Sequence, residues 1–165
     1  GRRDKLVAVF PGATVSERRW GAGNFGAVAE DVSRKGYTVL VLGAASDKKE
    51  ALAIKEAAPD CVDLTGTTTL EETARVLKSC RVLLTADSGL MHLSYAVGTP
   101  TVALFGSGIE KKWAPRGKDH TVINKDLGCS PCTRFGYTPK CPRNVECLSK
   151  ITVGEVTEAL DRTLF

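Results

Sequence analysis

Three things are scarce in this 165-residue chain, and each absence excludes a class of function. Aromatic residues number ten, and the basic residues behind a net charge of +4 are scattered apart from GRRDK at the start and SERR at 16–19. Nucleic-acid binding calls for a basic stripe interleaved with aromatics, so no nucleic-acid partner is expected. The longest apolar runs, such as TVALF and VLVLG, fall far short of the ~20 residues a helix needs to cross a bilayer. GxxxxGK[ST] does not occur, which removes one familiar phosphate-loop fingerprint. Internal repeats and low-complexity tracts are also missing. The chain opens on charges and enters a strand by Lys5, so no signal peptide and a cytoplasmic location are expected. Such an abrupt start is what a domain excised from a longer protein shows.

What remains is a composition suited to one folded core: 42% hydrophobic and 25% charged residues over a length sufficient to bury it. Apolar runs rich in β-branched residues alternate with helix-period segments, predicting α/β architecture with a parallel sheet and helices on both faces. LVAVF (6–10), TVLVLG (38–43), CVDL (61–64), RVLLTA (81–86) and TVALFG (101–106) read as strands, and HTVIN (120–124) is the candidate for a last one. Helices are predicted over 24–35, 47–58, 67–80, 89–97 and 152–164. Thr69 and Glu72 form a capping-box pattern ahead of the third. Residues 125–150 have little periodicity and form one loop.

Open sheets of this kind bind ligands at the carboxyl ends of their strands, which selects the loops 11–21, 43–47, 86–89 and 106–113. In the first, Gly12 permits a tight turn, Thr14 offers a hydroxyl and Arg18 a fork for two oxygens. The alternative there is a connecting loop with a solvated Arg18–Arg19 pair. ADSGLMH is the sharper signal. Amides at residues 88–90, where a helix begins, can cradle a diphosphate. Ser88 adds a donor, Gly89 allows close approach, and His92 lies one turn in. Asp87 would repel phosphate and is assigned to sugar hydroxyls. Asp87 or Ser88 alone can instead serve as the helix cap, and His92 as a core-edge histidine, but a cap accounts for one of these residues and not the set. Asp47 suits either ribose hydroxyls or an N-cap. Trp113 and Trp20 suit either a pocket wall or packing.

The six cysteines divide in two. Cys61 and Cys80 sit near element ends and read as core. Cys129, Cys132, Cys141 and Cys147 form C-x2-C-x8-C-x5-C in one loop; the first pair fits a zinc or iron–sulfur half-site, the second departs from that spacing. Zinc on these four is the metal alternative, and the expectation is that none is required.

The order FPGATVSERRW, VLGAASD, DLTGTTTLEETARVLKSC, TADSGLMHLSYAVGTPTVALFGSG and KKWAPRG, with the cysteine loop and a final helix, resembles the lipopolysaccharide heptosyltransferases of glycosyltransferase family nine over about residues 6–160. DLTG…DSGLMHL…GTPTVALFG is the specific part. The resemblance implies a GT-B enzyme with a Rossmann-like carboxyl-terminal half that binds a nucleotide-sugar donor, typically ADP-heptose. An amino-terminal half, absent from this chain, would hold the lipid A–core acceptor and the catalytic aspartate. On that basis residues 1–165 are one donor-binding domain, inactive alone, of an enzyme working at the inner face of the bacterial inner membrane, with peripheral contact to it. By position, Thr14 and Arg18 stand where the family sets a hydroxyl residue and a lysine against the donor phosphates; arginine keeps the charge but changes the geometry. Asp47 falls near a ribose-binding acid. Asp87, Ser88, Gly89 and His92 match the donor-binding turn.

Overall fold

A computed structural model describes residues 5–165, so Gly1–Asp4 of the basic opening stretch lie outside the described residues. Strands β1 (Leu6–Phe10), β2 (Thr38–Val41), β3 (Val62–Asp63), β4 (Val82–Ala86), β5 (Thr101–Phe105) and β6 (His120–Asn124) form one sheet in the order β3-β2-β1-β4-β5-β6. Every pairing is parallel. The helices are α1 (Ala22–Arg34), α2 (Lys48–Ala57), α3 (Leu70–Ser79), α4 (Gly89–Ala96), α5 (Glu110–Trp113), α6 (Glu146–Ser149) and α7 (Val153–Leu164).

Strand side chains alternate between two apolar layers. Val7, Val9, Val39, Val41, Val82 and Leu84 face α1, α2 and α7, meeting Phe25, Val28, Ile54 and Leu160. Ala8, Leu40 and Leu83 point the other way, toward Leu77 of α3 and Leu90 and Leu93 of α4. With both faces covered, β4 and β5 are buried at every residue, which is why they read as continuous apolar runs rather than alternating ones.

Boundaries moved where glycine or capping overrode periodicity. Gly21, at φ 104°, turns the chain into α1 two residues ahead of the expected Asn24. At φ 156°, Gly43 takes the chain off β2 after Val41. The Thr69–Glu72 capping box is present in both directions. Asp47 stands at the N-cap position of α2 without capping it; its Oδ2 instead accepts the Ala44 N–H at 2.8 Å. Two short helices, α5 and α6, arise in segments whose few residues carry no readable period.

The sheet order decides where a ligand can sit. β1 lies between β2 and β4, so the chain leaves β1 toward one side and β4 toward the other. Connections that diverge from adjacent parallel strands leave a crevice at the carboxyl edge. The loops that flank it are those starting at Pro11 and at Asp87.

Candidate functional site

The loop after β1 is shaped by a close approach. A Cβ on Gly12 would fall 2.5 Å from Asp47 Oδ1, so only glycine lets the loop lie against that carboxylate. The same side chain blocks a Cβ at Gly43, 2.9 Å from Oδ2. Asp47 is thus largely buried and ties the loops after β1 and β2 together, while still reaching the cleft they border. Arg19 is not half of a solvated pair: Nε donates to Ala13 O at 3.0 Å and Nη1 to Glu50 at 2.9 Å, stapling the loop to α2. Trp20 is structural. It is buried, donates from Nε1 to Ile151 O at 2.9 Å, and meets Phe25 edge-on.

Arg18 turns the other way. Nη1 lies 3.0 Å from Asp87 Oδ2 in the loop after β4. The contact is ionic rather than an aligned hydrogen bond, since Arg18 Nε and Asp87 Oδ2 are both buried without a hydrogen-bond partner among the described residues. Burial pushes the Asp87 carboxyl above the usual aspartate range, against the opposing pull of Arg18 and, more weakly, His92. Gly108, after β5, completes this corner: a Cβ there would sit 2.0 Å from Asp87 Oδ2. The guanidinium that the sequence offered to a phosphate is therefore paired with the acid assigned to a sugar, and the two form one unit.

At the start of α4, Ser88 is the cap. Its Oγ accepts the Met91 N–H at 3.4 Å and shares a 2.9 Å bond with Thr85 Oγ1, which itself donates to Ala86 O. That arrangement uses the Ser88 hydroxyl, so it is not the free donor the sequence suggested. The backbone is different. No acceptor among the described residues takes the N–H of Ser88, Gly89 or Leu90, as expected for the first turn of a helix. Gly89 is exposed, and a Cβ on it would meet nothing within 4 Å. No internal packing demands glycine there; the space in front is open.

Two cavities meet at this corner. A cleft of about 910 Å³ is bordered by Thr14, Asp47, Ser88, Gly89 and His92. A second, of about 600 Å³, is bordered by Arg18, Asp87, His92 and Trp113. All seven residues selected from the sequence therefore line one of two adjoining spaces, and His92 lines both. Trp113 is exposed and acts as a wall, its ring 5.8 Å from that of His92. Sequence reasoning selected the loop 106–113 without singling out Gly108 or Lys112 in it, and it missed Arg134 and Phe135, because the aperiodic loop 125–150 gives no sign of where it folds back.

Cys61 and Cys80 are buried, with the Cys80 thiol pushed up to about 12 by desolvation. Cys129, Cys132, Cys141 and Cys147 are free thiols bordering one small cavity beside Glu17. Among the described residues, no group of three or more Cys, His, Asp or Glu has the arrangement to hold a metal ion.

Comparison with known proteins places the chain in a family. The chain is 32% identical over 124 residues to lipooligosaccharide heptosyltransferase 2 of Haemophilus influenzae, matching 72% of this chain and 36% of that protein. The structure of E. coli ADP-heptose lps heptosyltransferase II superposes with a TM-score of 0.81 at 27% identity, over 99% of this chain and 47% of that one. A family 9 glycosyltransferase from Veillonella parvula superposes equally well, at 26% identity and a TM-score of 0.81, again covering 99% and 47%. The chain thus spans half or less of the length of these relatives. The family model for glycosyltransferase family 9 (heptosyltransferase) matches residues 2–141, and this chain belongs to that family.

Proposed function

We propose that these residues form the donor-binding half of a heptosyltransferase that takes ADP-heptose and passes the heptose to a lipopolysaccharide inner-core acceptor. The observation that carries this reading is the corner at Gly89. Three N–H groups without an internal acceptor among the described residues border an open cleft, at the point where the strand order reverses, with half-buried Arg18 paired to buried Asp87 alongside. Backbone donors with open space before them suit a diphosphate. The unsatisfied Asp87 Oδ2 on the wall of the adjoining cavity suits a sugar hydroxyl. The name of the E. coli relative, an ADP-heptose heptosyltransferase, supports the choice of donor.

In the reaction an acceptor hydroxyl oxygen attacks the anomeric carbon of the donor sugar. Its bond to the β-phosphate oxygen breaks, and ADP departs with the electron pair, inverting the anomeric centre. The hydroxyl proton passes to a base in the amino-terminal half of the enzyme. The work of this half is electrostatic. Fixed donors at residues 88–90, with Thr14 and the Arg18 guanidinium, stabilise charge as it grows on the leaving diphosphate, with no reorganisation at the moment of reaction. Asp47 and the wall around it hold the ribose. Closure of the acceptor half over the cleft completes the site. The lipid A–core acceptor places the whole enzyme at the inner face of the bacterial inner membrane. Among the described residues no helix is long and apolar enough to cross it.

Calorimetric titration with ADP tests the reading: binding is expected, and its absence overturns the proposal. Thermal-shift comparison of ADP-, UDP- and GDP-sugars then identifies the donor class, a larger shift with a uridine or guanosine donor reassigning the enzyme to another transferase of the same architecture.

A further inference from the structure

Four thiols that the donor cleft does not use converge behind it. Cys129, Cys132, Cys141 and Cys147 border one small cavity of about 110 Å³, with Glu17, one residue before Arg18, on its edge. They differ in access. Cys129 is exposed, Cys132 and Cys141 are half-buried, and Cys147 is buried. The Cys147 Sγ occupies the space that a Cβ on Gly106 would need, 2.7 Å away.

Around Cys141 the backbone is shaped to meet sulfur. The N–H groups of Arg143 and Val145 both donate to its Sγ, at 3.4 and 3.3 Å. They converge there because Asn144 and Val145 are both left-handed, at φ 51° and 54°. That conformation is strained for a β-branched residue, and it turns nearby amides onto one atom, as in a backbone nest for an anion. Lys140 and Arg143 border the same cavity. Amides and cations favour charge on a sulfur, and the thiolate is the reactive form. Cys132 is the complement. Burial pushes its thiol up, with charge on Cys141 adding more than charge on Cys129. Between the two lie residues 133–140, including the hairpin in which Arg134 and Tyr137 exchange backbone bonds of 2.9 Å. Buried Thr133 anchors one side of it, its N–H and Oγ1 donating to Ser107 O at 3.0 and 2.7 Å. Arg134 and Phe135 of this hairpin border the cavity beside Asp87.

We infer that Cys141 and Cys132 form a thiol–disulfide exchange site, the first attacking and the second resolving, whose substrate is a low-molecular-weight disulfide. The Cys141 thiolate attacks one sulfur of that disulfide; its S–S bond breaks, a mixed disulfide forms on Cys141, and one small thiolate leaves. The charge on Cys141 is then gone, so Cys132 gives up its proton more readily. Its sulfur attacks Cys141 Sγ, closing the Cys132–Cys141 bond and releasing the second small thiolate. Two protein thiols are oxidised, the small disulfide is reduced, and the two protons end on the released thiols. The new bond ties the second side of the hairpin, which the Thr133 anchor leaves free.

The test is incubation of the reduced, folded chain with oxidised glutathione, followed by alkylation, digestion and mass mapping of all six cysteines. The expected product joins Cys132 to Cys141, is lighter by two hydrogens, and reverts with dithiothreitol, while buried Cys61 and Cys80 stay reduced. Cys132→Ser should stop the reaction at a glutathione adduct on Cys141. Cys141→Ser should slow the loss of free thiol at Cys132 about tenfold or more, and Cys129→Ser should change neither step. Trypsin cleavage after Arg134 should slow about threefold or more once the bond forms, because a closed loop opens less. A bond through Cys129 or Cys147 instead, undiminished exchange in Cys141→Ser, reaction only after unfolding, unslowed cleavage, or one equivalent of zinc on the dialysed chain each overturns the inference. Mapping of the parent chain decides the pairing even where a variant fails to fold. No nucleotide is present, so failure of ADP to bind removes the donor reading and leaves this result standing.

Discussion

Arg18 and Asp87 face each other across the crevice between the loops after β1 and β4, Nη1 to Oδ2 at 3.0 Å. The acid is 4% exposed and the arginine 21%, so each shields the other from a buried, uncompensated charge. The pair fixes the distance between two loops that the sheet alone leaves free to splay. Its partial satisfaction leaves both groups able to turn toward a ligand.

Removing one member therefore has two effects that can be separated. Arg18→Ala should weaken ADP binding about 10- to 100-fold, the worth of a charge-assisted contact of about 1.5–3 kcal/mol. It should also lower stability at pH 7, because Asp87 is left buried and ionised. Adding Asp87→Asn should recover most of the stability but none of the affinity. Asp87→Ala alone should weaken ADP less than Arg18→Ala. Calorimetry and urea unfolding of the single and double variants check the cycle, and parallel recovery of both quantities would show that the arginine is structural only.

Gly89 gives the opposite combination. Nothing in the chain lies within 4 Å of a Cβ there, and glycine is a poor residue within a helix. Gly89→Ala should raise stability by about 0.5–1 kcal/mol while weakening ADP, and Gly89→Leu should abolish ADP binding without lowering Tm. A leucine variant that binds normally would place the diphosphate elsewhere.

Gly108 should be intolerant for a different reason. Its added Cβ would fall 2.0 Å from Asp87 Oδ2, so Gly108→Ala must push the carboxylate off Arg18. Lower Tm and weaker ADP binding are expected together, and pairing the change with Asp87→Ala should relieve the loss of stability. Thermal unfolding of the two variants tests this.

Acid stability should depend on Glu155. Lys125, together with the Thr152 cap, holds this carboxyl down at about 2, against 4.5 in an unfolded chain. The folded form binds fewer protons between those values, so the contribution is fully present above about pH 4.5 and is lost as pH falls toward about 2. The group is 40% exposed, and screening limits the effect to about 1 kcal/mol or less. Asp87 works in the opposite sense: its raised carboxyl is relieved by protonation, so its contribution grows as pH falls through the raised value. Urea unfolding at pH 7 and pH 3 should show a smaller acid loss for Glu155→Gln than for the parent chain.

The helices and strands were legible where residues repeat with a clear period, as in Val28, Ala29 and Val32 of α1 or the Thr69–Glu72 box of α3. The site was legible where a residue type is odd for its place: an exposed glycine opening a helix, and an acid with a histidine at a strand end. The roles were less so. Ser88 is a cap, Arg19 a staple and Trp20 a core residue, because whether a polar or aromatic group is free depends on what folds against it. The loop 125–150 was opaque throughout, since its contacts with Ser107 and Gly106 run between segments with no shared pattern.

Taken alone, the order of residues determined the α/β class, the parallel sheet and the loops at its carboxyl edge, because period and capping are local properties of the backbone. Tertiary structure decided that Arg18 answers Asp87, that Gly12, Gly43 and Gly108 are glycine to make room for two carboxylates, and that Arg134 and Phe135 overlook the same cavity as Trp113. These are contacts between distant segments, set by the strand order at the switch between β1 and β4, and no local pattern encodes which loops that order brings together.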